Sequence, residues 1–145
     1  MAGFDFRLQK LLDLRVQKEE ESKVEFKKSQ DVKLKIEKNL VSMTENYHEY
    51  SLKRLSGTVI EQKITQNYLN ALNVLIDETN INLEKQKKVV EEKRNVLIKK
   101  QVERKTVEVL KDKQKLEFEK NENLKEQRVN DELALYSFIR NIERG

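Results

Sequence analysis

The sequence predicts an all-α protein in which two long helices form an elongated antiparallel coiled-coil hairpin. Charged residues make up 39% of the 145 residues and aromatic residues only 6%, which leaves too little apolar material for a globular core. Proline is absent, whereas Lys, Glu, Leu and Gln, which are good helix formers, are abundant. Gly57 is the one glycine that is far from both chain ends. We therefore expect a single coiled-coil domain over residues 1–145 that reverses near Gly57.

Helix one is expected over about residues 4–55. A 4,3 spacing that starts at Leu8 gives a heptad seam, apolar at both ends and polar through residues 15–33. The seam positions are Leu8, Leu12, Arg15, Glu19, Ser22, Phe26, Ser29, Lys33, Ile36, Leu40, Met43, Tyr47, Tyr50 and Arg54.

The reversal is expected over about residues 56–60. Glycine adopts a left-handed backbone conformation at little steric cost, so Gly57 is predicted to cap the end of helix one. The hydroxyls of Ser56 and Thr58 are expected to cap the neighbouring helix ends. The alternative is one uninterrupted helix in which Gly57 costs about 1 kcal/mol. Such a helix would leave its apolar stripe without a partner, which favours the hairpin.

Helix two is expected over about residues 61–142. The 4,3 spacing continues in it, and a second apolar column repeats every seven residues beside the first. The second column is Ile76, Leu83, Val90 and Leu97. The first column is Tyr68, Leu72, Leu75, Thr79, Asn82, Gln86, Val89, Lys93, Val96, Lys100, Glu103, Val107 and Leu110, and it continues to Ile142, mostly through polar residues.

The two predicted helices differ in length. At 1.5 Å per residue, helix one would be about 78 Å long and helix two about 120 Å. Folding back at Gly57 would bring Phe4 near Asp112 and leave residues after about 115 without an intramolecular partner. This overhang ends in an apolar cluster over residues 133–142, so another protein is expected to bind it.

The residues that enzyme chemistry needs are scarce. The chain has no cysteine and one histidine, His48, which excludes thiolate and His-rich metal sites. It also has no Gly-rich phosphate loop, and neighbouring acids such as Glu91 and Glu92 point in different directions on a helix. No apolar run could cross a membrane or serve as a signal peptide. We expect no catalytic residues, no metal, no cofactor and a cytoplasmic protein.

The formal net charge of +4 is concentrated in one region, because residues 81–120 carry 13 basic and 8 acidic side chains. The acids alternate with the bases, which favours a solvated face of i,i+4 ion pairs over a nucleic-acid grip. A basic coiled coil that binds nucleic acid and a self-associating scaffold remain alternatives.

Several short motifs, taken together and in order, resemble the flagellar export protein FliJ family. The resemblance covers essentially the whole chain. The matching residues are Phe4, Phe6, Leu8, Gln9, Leu11, Leu12, Leu14 and Arg15, then Tyr47 to Tyr50, the central glycine, Tyr68 and Leu72, and finally Glu126, Asp131, Glu132 and Ala134.

The resemblance implies a fold similar to the gamma stalk of the F-type ATPase and a non-enzymatic role in flagellar type III export. Its expected partners are the export ATPase hexamer FliI, the export gate subunit FlhA and export chaperones, with no nucleic acid. The protein would assemble the ATPase ring, couple it to the gate and help to recycle chaperones at the inner-membrane base of the flagellum, associated with the membrane only through the gate. The equivalent stalk of a virulence-type secretion system is an alternative.

The resemblance also implies two sets of binding residues. Export-gate binding maps onto Leu40, Met43, Tyr47, Tyr50, Tyr68, Leu72, Leu75 and Thr79. ATPase binding maps onto Phe4, Phe6, Leu8, Leu11, Leu12, Arg15, Arg128, Asp131, Leu135 and Phe138. On this interpretation the turn lies beside the gate contacts and far from the ATPase contacts.

Overall fold

The computed structural model describes residues 3–144 as two α-helices that pack against each other, α1 (Gln9–Leu52) and α2 (Val59–Arg144). No β-strand occurs within these residues. α1 has 44 residues and α2 has 86. The predicted all-α class, the two-helix hairpin and the longer second helix are therefore confirmed.

The chain divides into two compact units, and each contains part of both helices. One unit is Lys18–Lys100. In it the ring centroids of Tyr50 and Tyr68 lie 4.8 Å apart, and the Arg94 guanidinium lies 5.6 Å from the centroid of Phe26. Residues earlier in α1 therefore contact residues later in α2, so the helices are antiparallel within this unit.

The other unit consists of the described residues of Met1–Gln17 and Gln101–Gly145. Arg15 donates a hydrogen bond of 3.2 Å to the carbonyl of Glu103, and Lys111 donates one of 2.7 Å to the Gln9 side chain. The helices are antiparallel here too. The single-domain organisation stays a prediction.

α1 begins at Gln9, five residues later than expected. Residues 4–6 are not helical, and the Phe6 carbonyl accepts a hydrogen bond of 3.1 Å from the Gln9 amide. Non-helical chain advances up to about 3.3 Å per residue, against 1.5 Å in a helix. Phe4 therefore reaches Phe118, with ring centroids 5.7 Å apart. Phe4 thus contacts α2 further along than the expected Asp112, and part of this offset is already present at Gln9, whose side chain accepts a hydrogen bond from Lys111.

The turn differs from the predicted helix cap. α1 ends at Leu52, and i→i+3 backbone bonds then tighten the chain, from Lys53 to Tyr50, from Arg54 to Ser51 and from Ser56 to Lys53. Gly57 has the expected positive φ, 87°. It stands directly before Thr58, however, and five residues after the end of α1. Gly57 is thus not the C-cap of α1, because the tightened turns have already ended that helix.

The start of α2 is fixed by a capping box formed by Thr58 and Glu61. The Glu61 amide donates to Thr58 Oγ1 and the Thr58 amide donates to Glu61 Oε2, each at 3.2 Å. The predicted capping role of Thr58 is confirmed, and it starts α2 at Val59 instead of residue 61. Ser56 Oγ donates to the Lys53 carbonyl at 2.8 Å. Gln62 Nε2 donates to the carbonyls of Leu55 and Gly57 at 3.3 and 3.2 Å.

The predicted seam of α1 is confirmed between Leu12 and Tyr47, where every seam position is buried or half-buried. The seam of α2 combines both predicted columns. The first column contributes Leu72, Thr79, Gln86, Lys93, Lys100 and Val107. The second column contributes Ile76, Leu83, Val90 and Leu97. The side chain that begins this seam is Leu69, which is 3% exposed, whereas the predicted Tyr68 is 41% exposed. Other positions of the first column are exposed, namely Tyr68, Leu75, Asn82, Val96 and Leu110.

Two polar residues of the seam, Ser29 and Gln86, form hydrogen bonds to backbone carbonyls. Ser29 is buried, and its hydroxyl donates to the Phe26 carbonyl at 2.6 Å. Gln86 reaches across from α2 and donates to the Ser29 carbonyl at 2.9 Å. Buried polar groups that keep hydrogen-bond partners avoid most of the cost of leaving water. Polar residues can therefore occupy this seam without breaking the helix pair.

Candidate partner-binding surfaces

The C-terminal overhang, residues 123–144, is the longest exposed stretch of α2. Every residue in it is exposed, including large apolar side chains such as Phe138 at 62%. The segment is nevertheless helical to Arg144, because it is rich in good helix formers. Its exposed large apolar residues are Leu124, Val129, Leu133, Leu135, Tyr136, Phe138, Ile139 and Ile142. So many exposed apolar side chains on one helix are typical of a protein-binding segment.

Four predicted ATPase-binding residues lie in this overhang, namely Arg128, Asp131, Leu135 and Phe138, and all four are exposed. Leu135 and Phe138 are three residues apart and so share one helix face. Ile142 continues that face one turn later. The predicted contacts thus lie within a larger apolar stripe.

The other predicted ATPase-binding residues lie at the start of the chain and face inward to different degrees. Phe6 and Leu12 are buried in a cluster with Val107, and Phe4 and Leu11 pack against it. Leu8 is exposed, and Arg15 donates a hydrogen bond of 3.2 Å to the Glu103 carbonyl. The burial of Phe6 and Leu12 gives them a structural role, because their side chains hold this segment against α2.

The predicted gate-binding residues come together in two places. Tyr50 and Tyr68 form a tilted ring pair. Thr79 Oγ1 lies 3.9 Å from Met43 Sδ, and its hydroxyl donates to the Leu75 carbonyl at 2.7 Å. Leu72 is buried and Leu75 is exposed. Leu40 and Tyr47 are half-buried. We call the exposed members of this set, Tyr50, Tyr68 and Leu75, the gate surface.

Within the described residues, no group of three or more His, Cys, Asp and Glu side chains is placed to hold a metal ion. No described helix is both long enough and apolar enough to span a membrane. The surfaces that remain as candidate sites carry aromatic, aliphatic and charged side chains, which bind other macromolecules through shape and charge.

A sequence model of one protein family, described as Flagellar FliJ protein, matches residues 4–143. The chain belongs to the FliJ family. No curated protein and no solved structure matches it. The match covers nearly the whole chain, so the predicted resemblance is confirmed. As a FliJ-family member, the chain is a component of the flagellar export apparatus. The FliJ family is not known for enzyme activity.

Sequence reasoning missed one surface of this FliJ-family chain. Five large aliphatic residues around the turn are strongly exposed, namely Leu52, Leu55, Val59, Ile60 and Ile64. The sequence contained evidence for this surface, because all five residues lie beyond the last paired seam position on either helix. The prediction treated this region only as a helix reversal formed by Ser56, Gly57 and Thr58.

Proposed function

We propose that this FliJ-family chain is a non-enzymatic stalk whose C-terminal overhang binds the ring of the flagellar export ATPase, FliI. The observation that carries the proposal is the run of exposed residues 123–144, which is helical and bears eight large apolar side chains. An apolar helix face left in water is unfavourable by about 25 cal/mol per Å². Burial inside a partner removes this cost.

The arrangement of apolar residues on the overhang supports a partner that contacts more than one side of it. Leu135, Phe138 and Ile142 lie on one face at helical spacing. Leu133 and Tyr136 lie on another face, and both are exposed. A helix that is apolar on two sides fits inside a surrounding assembly better than in a single shallow groove. A ring of ATPase subunits provides such surroundings.

The gate surface supports the second half of the proposed function, binding to the export gate subunit FlhA. Tyr50 and Tyr68 are partly exposed and held against each other. Aromatic residues that combine exposed area with a fixed position are enriched among residues that dominate binding energies. A chain that bound the ATPase and the gate at separate surfaces would couple them, and would stand where released export chaperones could be recycled.

Removal of residues 124–145 tests the ATPase contact. The full chain should retain the ATPase in a pull-down, and the truncated chain should lose most of it. A full-length variant with Leu135→Ser and Phe138→Ser should also lose binding, which separates loss of these side chains from loss of the segment. Undiminished binding by both variants would contradict the proposal. Circular dichroism serves as the folding control, since exposed residues contribute little to stability.

A further inference from the structure

The described residues ahead of α1 are not helical, and their two aromatic side chains pack on α2. We call residues 3–8 the N-terminal strap. Its backbone is joined to α1 by two hydrogen bonds. The Phe6 carbonyl accepts one of 3.1 Å from the Gln9 amide, and the Leu8 carbonyl accepts one of 3.0 Å from the Leu12 amide. The strap is therefore tied to α1 at its second half.

The attachment of the strap to α2 is different, because within the described residues it consists of apolar contacts alone. Phe6 is 5% exposed and packs with Leu12 and Val107. The ring centroid of Phe4 lies 5.7 Å from that of Phe118. No hydrogen bond and no ion pair joins the strap to α2 in this part of the chain. Segments with few hydrogen bonds to their surroundings are the ones that open most readily.

The two aromatic residues of the strap are held to different degrees. Phe6 is buried, and the hydrogen bond of its carbonyl fixes it to α1. Phe4 is half-buried, and its ring is tilted by 50° against that of Phe118. A groove of about 510 Å³ lies beside Phe4, lined by Asp5 of the strap and Lys115 of α2 among others. Phe6 is thus the anchor of the strap, and Phe4 is the part that can leave α2 with the least disturbance.

Phe118, which Phe4 covers, lies on the same face of α2 as part of the overhang. Val129 and Tyr136 follow it by 11 and 18 residues, which are close to three and five full helical turns. Both are exposed, at 55% and 65%, whereas Phe118 is half-buried. With Phe4 removed, Phe118 would extend this apolar face by about 16 Å from Val129 toward the closed end.

We propose that Phe4 is an autoinhibitory cover for Phe118, and that it leaves α2 when the ATPase ring binds the overhang. The ring then contacts Phe118 together with Val129 and Tyr136. This inference rests on the proposed ATPase contact. The family resemblance maps ATPase binding onto Phe4, and here Phe4 affects that contact by covering Phe118. The cover lowers the affinity for the ATPase, because only the uncovered fraction of the chain offers the full face.

A photoreactive phenylalanine analogue at position 118 of the full-length chain tests the exchange. In the free chain it should crosslink internally to the strap, since the Phe4 and Phe118 ring centroids are 5.7 Å apart. Saturating ATPase should reduce the internal crosslink about fivefold, because binding shifts the chain to its uncovered form, and a crosslink to the ATPase should appear. An internal crosslink that persists undiminished in the complex would overturn the inference.

The affinity of a Phe4→Ala variant tests the inhibitory effect. This variant should bind the ATPase about three- to tenfold more tightly than the native chain, because the partner no longer displaces a ring. Leu14→Ala is the matched control, since it shortens an apolar side chain near the start of α1 that is 49% exposed, and its affinity should be unchanged. Circular dichroism should show native helix content for both. Equal or weaker binding by Phe4→Ala would overturn the inference, and weaker binding would make Phe4 a direct contact.

A double variant tests whether Phe118 is the covered residue. Phe4→Ala combined with Phe118→Ala should lose the gain in affinity of Phe4→Ala, because the uncovered ring is then absent. A gain that is fully retained in the double variant would reject Phe118 as the covered contact.

The photoreactive analogue at Phe138 separates the inference from the proposed function, because it reports the overhang contact alone. A crosslink to the ATPase from position 138, with an unchanged internal crosslink at position 118, would keep the proposed function and reject the cover. No crosslink to the ATPase from either position would reject both.

Discussion

Gly57 holds a backbone conformation that other residues adopt only at a cost, and it lies against the carboxylate that caps α2. Its φ is +87°, and a Cβ added there would collide with the end of the Glu61 side chain. The Glu61 carboxylate would have to move away from the Thr58 amide, from which it accepts a hydrogen bond of 3.2 Å. One small residue therefore supports both the turn and the first turn of α2.

Gly57→Ala should lower the free energy of unfolding by about 1–2 kcal/mol, through the unfavourable φ and the disturbed capping box. Urea denaturation followed by circular dichroism measures the change. Gly3→Ala is the matched control, because nothing lies within 4 Å of the position of its added Cβ. Equal stability of the Gly57→Ala and Gly3→Ala variants would contradict this account of the turn.

The position of the turn was predictable from the sequence, but the role of Gly57 within it was not. A lone interior glycine between two helical patterns predicts a reversal at that point. Whether the helix ends at the glycine or earlier depends on i→i+3 bonds such as those from Lys53 and Arg54. Residues that form such bonds have no distinctive pattern, since many side chains permit them.

At the scale of the helices, the two seams differ in how clearly the sequence specifies them. α1 has one dominant 4,3 pattern, and its predicted seam is the observed one from Leu12 to Tyr47. α2 has two apolar columns side by side, and periodicity alone does not select between them. The packing selects Leu69 over its neighbour Tyr68 and Ile76 over Leu75. The site predictions that relied on Tyr68 and Leu75 thereby fall on exposed residues.

This register makes a direct prediction for two adjacent residues. Leu69→Ala should lower the free energy of unfolding by about 2–4 kcal/mol, because it removes a buried side chain from the seam. Tyr68→Ala should cost about 1 kcal/mol, mainly the lost ring contact with Tyr50. Chemical denaturation of both variants gives the comparison. A larger loss for Tyr68→Ala than for Leu69→Ala would place the predicted first column in the seam instead.

At the scale of the whole molecule, both helices carry ion pairs between residues three or four positions apart. Lys87 pairs with Glu84 at 3.1 Å, and Arg94 pairs with Glu91 at 3.6 Å. Such exposed pairs contribute little to stability, but within residues 81–120 they place an acid beside Lys87, Arg94 and Arg104. This arrangement favours the interpretation of the region as a solvated face over a continuous nucleic-acid-binding stripe.

The family and the overhang could both be predicted from the sequence, for different reasons. The family followed from the order of several weak motifs across the chain, and the match to residues 4–143 confirms it. The overhang followed from the unequal distances of Gly57 from the two chain ends. The exposed aliphatic residues around the turn, such as Leu55 and Ile60, lie beyond the paired seam positions, but their degree of exposure depends on where the helix pairing ends.

The central claim is that the exposed helix of residues 123–144 contacts the export ATPase directly. A photoreactive phenylalanine analogue placed at Phe138 in the full-length chain tests this most directly, with the same analogue at Val102 as control. Both positions are about equally exposed, at 62% and 60%. We expect a crosslink to the ATPase from position 138 that is several times stronger than from position 102. Equal crosslinking from the two positions, or none from position 138 in a chain that retains the ATPase, would contradict it.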